Sequence, residues 1–439
     1  MTATELHQQD APARTAPEIA REAGMNPLDY LIERGYVQDV TNPDALRAAF
    51  ASGAVTAYVG FDPTARSLHV GHMMGIMALA TLQRFGHRPV ALGGGGTAMV
   101  GDPSGKTSTR PPLTIESIQD NLNNILTQFD HYIDFEGGRF GGNPAALLVN
   151  NADWLLELRY IEFLRDIGRH FSVNEMLATE TYRTRLESTG LNFVEFNYRL
   201  VQSYDFLHLF RTYDCRLQLG GSDQWSNIVA GVDLVRRADA GEAFAVVWPL
   251  LTTASGQKMG KSEGNSLWLD PEMTSPYDFY QYWINVDDAD VEKLLRLYTF
   301  LPIEWIAELT SAEGAALRDA KQVLATEVTT LTHGAESAAE AVSASRALFG
   351  SGAVSLDDAS VPTATIAASD VATGEITIAE AFVRSGLCSS RGEARRLAQQ
   401  GGLSIDDVKI DDVDQPFGQT NGASLFRVGK KRYMRVVVE

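Results

Sequence analysis

Cysteine is almost absent: the 439 residues contain two, Cys215 and Cys388, far apart and without zinc or redox spacing. A disulfide framework is excluded, and a reducing, cytoplasmic setting is expected. No uninterrupted apolar stretch approaches the length that spans a bilayer. The opening residues, Met-Thr-Ala-Thr-Glu-Leu-His-Gln-Gln-Asp, lack the basic start and apolar run of a secretory leader. No membrane or export role is expected. Positive charge is also in deficit, with 37 Lys and Arg against 56 Asp and Glu, net −19, which argues against a general nucleic-acid binder. The deficit is uneven: from Ile376 to Glu439 ten Lys and Arg face eight Asp and Glu, so this end is +2 and the remainder −21.

What is present suits a soluble globular chain of two or three domains, with 44% hydrophobic and 21% charged residues. The organising stretch is Tyr58 to His72. Ala54 to Phe61 reads as a buried strand, Asp62-Pro63-Thr64 turns it, and Gly71 onward carries Met73, Met74, Met77, Leu79 and Leu82 at helical spacing. A strand end then faces a helix start, whose free amides attract anions, and His69 and His72 stand three apart on one side of it. Two imidazoles beside a phosphate point to charge stabilisation. Far downstream, Gly256-Gln-Lys258-Met-Gly260-Lys261-Ser262 sets two lysines three apart in a glycine-hinged segment. Such a loop can close on a polyphosphate and meet charge that develops in the transition state.

Strand, helix and strand alternate from Ala54 through Gly71–Phe85 to Pro89–Leu92, which predicts a doubly wound parallel sheet with ligands at the strand C-termini. The four glycines Gly93–Gly96 are expected to let backbone approach a ligand, with Asp102, Lys106 and Arg110 at its rim. A Walker reading of Gly101–Thr107 fails, because the loop is one residue short. Asn192–Tyr213 reads as a long, mostly buried helix in which Tyr198, Gln202 and Asp205 share one face. Buried polar groups are costly unless paired, so this stripe is a ligand-site candidate. Arg216–Leu219 ends in Gly220-Gly221-Ser222-Asp223-Gln224, another glycine turn from strand to helix. Trp154–Ile167 is predicted helical, as is most of Ser275–Leu348. Gly350–Thr373 reads as linker. Ser390-Arg-Gly-Glu393 is a capping-box start for a helix bearing Arg391, Arg395 and Arg396, and Arg427–Arg432 closes a basic unit.

His-x-Gly-His and Lys-Met-Gly-Lys-Ser resemble the two signature motifs of class I aminoacyl-tRNA synthetases. Together with Gly101–Lys106 and Gly220–Trp225, in order and with fitting separations, they narrow the resemblance to bacterial tyrosyl-tRNA synthetases, from about Asn26 to the C-terminus. The resemblance implies a polar arm (1–25), a Rossmann-like α/β catalytic domain with a dimerisation insertion (26–250), and the lysine loop with a helical anticodon-side subdomain (251–349). A linker (350–373) and a small α+β RNA-binding domain of the ribosomal protein S-four type (374–439) would follow. It implies tyrosine activation by ATP, with Mg²⁺ accompanying the nucleotide and no dedicated protein metal site, then transfer to tRNA by a cytoplasmic homodimer.

Carried over by position, Tyr58 and Asp205 would meet the phenolic hydroxyl, and Asp102, Tyr198 and Gln202 the α-ammonium. Asp62 and Gln224 would lie near the carboxylate and α-phosphate, and Gly221 and Asp223 at the nucleotide, Asp223 on its ribose. Thr64, His69 and His72 would line the phosphates, and Lys106, Arg110, Lys258, Lys261 and Ser262 the leaving pyrophosphate. Arg391, Arg395, Arg396, Lys430, Lys431 and Arg432 would contact tRNA. Gly75, where relatives vary, is expected to alter contact with ATP. Two alternatives stay open: a tryptophanyl-type synthetase or other nucleotidyltransferase, which Tyr58 with Asp205 disfavours, and a non-catalytic relative binding structured RNA, which the intact histidines and lysines disfavour.

Overall fold

The structure, a computed structural model, describes residues 15–104, 114–188, 190–253, 256, 259, 261–262, 265–311, 315–349, 362–372, 376–406, 408–418, 422–429 and 432–439. Lys106, Arg110, Lys258, Lys430 and Lys431 lie outside the described residues, and of Lys261 and Ser262 only the backbone is described. The chain divides into two compact units, Met1–Ala335 and Glu336–Glu439.

The first unit is built on six strands: β1 (Asp39–Val40), β2 (Thr56–Phe61), β3 (Arg88–Gly93), β4 (Leu147–Asn150), β5 (Cys215–Gly221) and β6 (Phe244–Trp248), in spatial order β1-β6-β5-β2-β3-β4. Strands β2 to β6 are parallel to their neighbours, and β1 runs antiparallel to β6. Sequences such as Phe-Ala-Val-Val-Trp in β6 are buried throughout, as strands covered on both faces must be. The chain winds from β2 outward to β3 and β4, then returns to the other side of β2 for β5 and β6. The winding direction therefore reverses between β2 and β5, where a crevice opens beyond the strand C-termini. Phe61, Gly93, Asn150, Gly221 and Trp248 end the strands along that edge.

Helix α1 (Val70–Arg84) follows β2, and α2 (Phe193–Tyr213) and α3 (Trp225–Asp239) flank β5. Gly75 packs α1 onto the sheet: a Cβ there would lie 2.9 Å from Val59 Cγ1 and 3.4 Å from Phe61 Cζ and Trp248 Cη2. Its smallness therefore serves helix–strand approach, and the expectation that it alters ATP contact is corrected. The helical region supplies α4 (Val291–Tyr298) and α5 (Ala315–Phe349), the latter broken at Gly334 with φ 85°. It is tied to the sheet layer by buried side chain to backbone bonds. The Tyr298 hydroxyl donates to Val70 O at 3.1 Å, and the Arg34 guanidinium donates to the carbonyls of Thr299 and Leu301.

Three expectations about organisation change. The arm 1–25 contains a helix, Ala16–Glu22, whose first amide donates to Phe300 O at 3.0 Å. Trp154–Ile167 falls in two short helices, Ala152–Leu155, where Trp154 is buried, and Tyr160–Asp166, with the chain turning between them. Of the expected linker 350–373, Thr363–Ile366 is a strand and Ala368–Ala372 a helical turn. In the second unit β9 (Thr363–Ile366) joins β10 (Leu403–Ile405), β11 (Val408–Lys409), β12 (Gly422–Val428) and β13 (Arg432–Val438) in the order β11-β10-β12-β13-β9, while Lys261–Ser262 and Asn265–Ser266 form the hairpin β7–β8 of the first unit. Alternation alone hid β9, since among the described residues a lone Thr-Ala-Thr-Ile pairs only with the distant β13. Helix α6 (Arg391–Gln399) is capped by Ser390, which accepts from Glu393 N at 3.2 Å, but Glu393 reaches back to Ser389, so the box is half formed. Phe382, Phe417 and Phe426 centre this unit's core. Among the described residues no helix is long and apolar enough to cross a membrane.

Candidate active site

At the winding reversal, Asp62, Asp102 and Asp205, the last carried by α2 itself, lie around Tyr198. Tyr198 on α2 is buried and donates to Asp62 Oδ2 at 3.1 Å, while Thr97 Oγ1 donates to Asp62 Oδ1 at 2.7 Å. Burial first, then the charges of Asp62, Asp102 and Asp205, push the Tyr198 phenol well above its ordinary range. The cluster therefore carries negative potential around a neutral hydroxyl, which suits a cationic group.

Deeper in, Asp205 is 1% exposed. Its two oxygens accept from Trp154 Nε1 at 2.8 Å and Asn151 Nδ2 at 2.9 Å, and Asn151 also donates to Thr97. Burial nevertheless raises Asp205 to about 7, with the two donors opposing it. Beside it Tyr58 is equally buried, edge-on to Phe206 at 5.2 Å, and among the described residues its hydroxyl has no hydrogen-bond partner. Gln202 Oε1, one turn before Asp205, is likewise buried without a partner among the described residues. A buried hydroxyl and amide oxygen without partners among the described residues, next to a carboxylate whose charge burial disfavours, form a polar recess suited to polar groups.

Asn151, Trp154 and Thr97 were missed from the sequence. The available signal was the polar pair Asn150-Asn151 at the end of β4, at the ligand edge of a parallel sheet. The glycine cluster also reads differently. A Cβ on Gly94 would lie 2.0 Å from Asp62 Oδ1, one on Gly95 2.4 Å from Asn150 Oδ1, and one on Gly96 2.8 Å from Leu155 Cδ1. These glycines let the protein close on itself around Asp62 and Asn151, so the expected approach to a ligand is corrected to an approach to the site's own scaffold.

On the β5 side, Gln224 Nε2 donates to Asp102 Oδ2 at 2.7 Å and also reaches Asp223 at 3.4 Å. Asn227 on α3 bonds Gln224 Oε1 and Ser104. Asp102, Asp223 and Gln224 are thus brought together, and Gly221 gives Asp223 room, since a Cβ there would meet Asp223 Oδ1 at 2.6 Å. Behind this group a separate cavity of about 310 Å³ is lined by Arg199, Trp225, Ser226 and Arg237.

At the start of α1 the two imidazoles stack, with centroids 3.9 Å apart. His69 Nδ1 accepts from Gly71 N at 3.0 Å, and His72 Nδ1 accepts from His69 N at 3.1 Å. His72 N bonds His69 O and Val70 N bonds Leu267 O. The amides of the first turn are therefore occupied within the protein, which corrects the expectation of free amides for an anion. Because each Nδ1 accepts, the neutral rings carry their proton on Nε2. Burial and the neighbouring His69 lower His72 to about 3, so His72 offers a hydrogen bond rather than a charge. Thr64, in the turn after β2, donates its amide to Asp62 O at 2.8 Å.

The segment after the lysine loop is stitched to these histidines. Leu269 N donates to Leu68 O at 2.9 Å, His69 and Trp268 form an antiparallel bridge, and their rings lie 5.9 Å apart. Within the loop, Gly256 holds φ 80°, a left-handed conformation that favours glycine, and hairpin β7–β8 pairs Lys261 with Ser266 and Ser262 with Asn265. In the second unit Arg391, Arg395 and Arg396 are exposed on α6. Arg391 pairs with Glu380, Arg395 with Asp414 at 2.6 Å, and Arg432 lies 3.7 Å from Glu393.

Comparison with known proteins gives a consistent result. Residues 51–350 match the family of tRNA synthetases class I (W and Y), and residues 343–436 match the tyrosine–tRNA ligase SYY-like C-terminal domain. The tyrosine–tRNA ligase of Clostridium beijerinckii is 51% identical over 417 residues, covering 94% of this chain and all of that one. Among solved structures, the C-terminally truncated mitochondrial tyrosyl-tRNA synthetase of Aspergillus nidulans aligns with a TM-score of 0.68 and 31% identity over 76% of this chain and 97% of its own. That of Coccidioides posadasii aligns at 0.64 and 33% over 77% and 96%. A tryptophanyl-tRNA synthetase from Encephalitozoon cuniculi shares the fold at TM-score 0.54 and 14% identity, over 77% of this chain and 96% of its own.

Proposed function

The chain belongs to the tyrosine–tRNA ligases among the class I aminoacyl-tRNA synthetases, and on that footing we propose that its Tyr58–Asp205 recess holds the phenol of tyrosine while the His69–His72 end holds ATP. Its reaction is the ATP-dependent attachment of tyrosine to tRNA. The observation that carries the residue assignment is the Tyr58 hydroxyl, buried beside Asp205 with no hydrogen-bond partner among the described residues.

A phenolic hydroxyl entering the recess donates to the Asp205 carboxylate and accepts from Tyr58. A site built for a hydroxyl leaves its own polar groups unpaired when phenylalanine enters, tyrosyl enzymes being the standing example of this asymmetry. The α-ammonium lies among Asp62, Asp102 and Tyr198, with Gln202 alongside. Asp62 moves from the phosphate region to this ammonium side, because a carboxylate hydrogen-bonded to Tyr198 would repel an α-phosphate. Gln224 stands between Asp102 and Asp223 and orients the substrate carboxylate, with Asp223 and Gly221 toward the nucleotide.

In the first step a tyrosine carboxylate oxygen attacks the α-phosphorus of ATP, the bond from that phosphorus to the bridging oxygen breaks, and pyrophosphate leaves. Neither partner needs a protein nucleophile, so positioning and charge stabilisation supply the catalysis. Thr64, His69 and neutral His72 donate to phosphate oxygens, and Lys106, Arg110, Lys258, Lys261 and Ser262 gather round the pyrophosphate. In the second step a ribose hydroxyl at the tRNA 3′ end takes the tyrosyl group and AMP leaves. Among the described residues no three His, Cys, Asp or Glu side chains form a metal site. Mg²⁺ would accompany ATP, whose phosphate charge it would neutralise.

Arg391, Arg395, Arg396, Lys430, Lys431 and Arg432 are assigned to tRNA phosphates. The ion pairs that Arg391 and Arg395 make are exposed and screened by solvent, so RNA can displace them. Leu156, Tyr160, Ile161 and Val173, all more than half exposed, are assigned to a homodimer interface. A cytoplasmic location is assigned from the likeness to the bacterial relative. Equilibrium binding of tyrosine and phenylalanine to the enzyme without ATP tests the recess: tyrosine should bind far more tightly, and equal affinities would refute the assignment.

A further inference from the structure

Arg66 lies between Thr64 and His69 and has no role in the site as assigned. Its Nε is 3.4 Å from Asp270 Oδ2 and its Nη2 contacts Glu272. Both carboxylates lie on the stretch that leaves the lysine loop. Around this contact the two segments are joined by two backbone bonds, Val70 N to Leu267 O at 3.0 Å and Leu269 N to Leu68 O at 2.9 Å, and by Asp270 N donating to the Ser67 side chain, Oγ, at 3.0 Å. The other stem of the loop is held by Lys293 on α4, which donates to Thr252 O at 3.0 Å and pairs with Asp290 at 2.6 Å. The loop is thus pinned at both stems, and Arg66 is the charged pin on the histidine side.

We propose that Arg66 is a positioning residue that fixes the lysine loop against His69 and His72 through Asp270 and Glu272. The proposal rests on reading the lysine loop as the pyrophosphate clamp. Arg66 and Glu272 are half and 70% exposed, so their pairing adds little to global stability. Its effect falls on loop geometry, because a misplaced clamp weakens contacts made only in the transition state. The tyrosine recess shares no residue with this contact, so tyrosine affinity should not move.

The test is a charge-exchange cycle, R66E, E272R and R66E/E272R, read by tyrosine-dependent ATP–pyrophosphate exchange, tyrosine binding and thermal midpoint. R66Q should lower kcat about 2- to 5-fold, equal to about 0.4–1 kcal/mol at 1.36 kcal/mol per tenfold. R66E, which sets three carboxylates together, should lower it further. R66K should retain most of the rate, and R66E/E272R should recover at least half of the loss in R66E. Tyrosine affinity and thermal midpoint should stay constant throughout. The proposal is overturned if R66E works at the normal rate, if the double variant is no faster than R66E, or if rate, tyrosine affinity and thermal midpoint fall together. Lys261→Ala separates the two levels: normal exchange in that variant removes the clamp reading itself, whereas slow K261A with normal R66E removes only the role of Arg66.

Discussion

Replacing Tyr58 with phenylalanine separates function from stability at one atom. The ring would keep its burial and its edge-on contact with Phe206 at 5.2 Å, and only the unpaired hydroxyl would go. Leaving a buried donor unpaired costs about 1–3 kcal/mol, part of which Tyr58→Phe should return. The thermal midpoint should therefore stay constant or rise, by about 1–2 °C for each kcal/mol regained. The substrate phenol would lose one neutral hydrogen bond, worth about 0.5–1.5 kcal/mol, or roughly 2- to 13-fold in kcat/KM for tyrosine. Phenylalanine makes no such bond and should be used as well as before or better. The assay is ATP–pyrophosphate exchange with each amino acid, together with thermal unfolding. A variant that loses more than about 1 kcal/mol of stability while its tyrosine-to-phenylalanine ratio is unchanged would show that the hydroxyl supports the fold and not the substrate.

Other consequences follow from the same geometry. With Asp205 raised to about 7 by burial, tyrosine binding that requires its carboxylate should release a proton between pH 6 and 7, and calorimetry in buffers of different ionisation enthalpy would detect none if the assignment is wrong. Burial lowers His72 to about 3 and His87 and His333 to about 4, below the ordinary 6.5. The unfolded chain then binds protons that the folded chain refuses, so stability should fall as pH drops from 6.5 toward 4; a flat denaturant midpoint over that range would contradict it. Gly75→Ala should destabilise by about 1–3 kcal/mol through overpacking against Val59, and a fully stable variant altered only in its KM for ATP would restore the idea that Gly75 faces the nucleotide.

The sheet and its long helices were legible because they depend on local pattern. Thr56–Phe61, Val70–Arg84 and Phe193–Tyr213 each carry a period or a buried apolar run that fixes their type. The stripe of Tyr198, Gln202 and Asp205 was also visible, since helical spacing puts all three on one face. Long-range placement was not. Nothing in the sequence says that Asn151 and Trp154 turn back to the Asp205 oxygens, or that both histidine Nδ1 atoms are consumed in capping their own helix. The glycines of 93–96 show the same limit, because sequence marks a place where a Cβ is excluded but not which atom excludes it. Strand β9 escaped because four residues acquire their meaning only from β13, some seventy positions later.

The most direct measurement is ATP–pyrophosphate exchange with each of the twenty amino acids in turn, with Mg²⁺ and without tRNA. Exchange should appear with tyrosine alone, with phenylalanine far below it. Exchange sustained by tryptophan, or equally by phenylalanine, would contradict the assignment of the Tyr58–Asp205 recess. No exchange with any amino acid, from folded protein, would contradict the activation chemistry assigned to the histidine pair and the lysine loop.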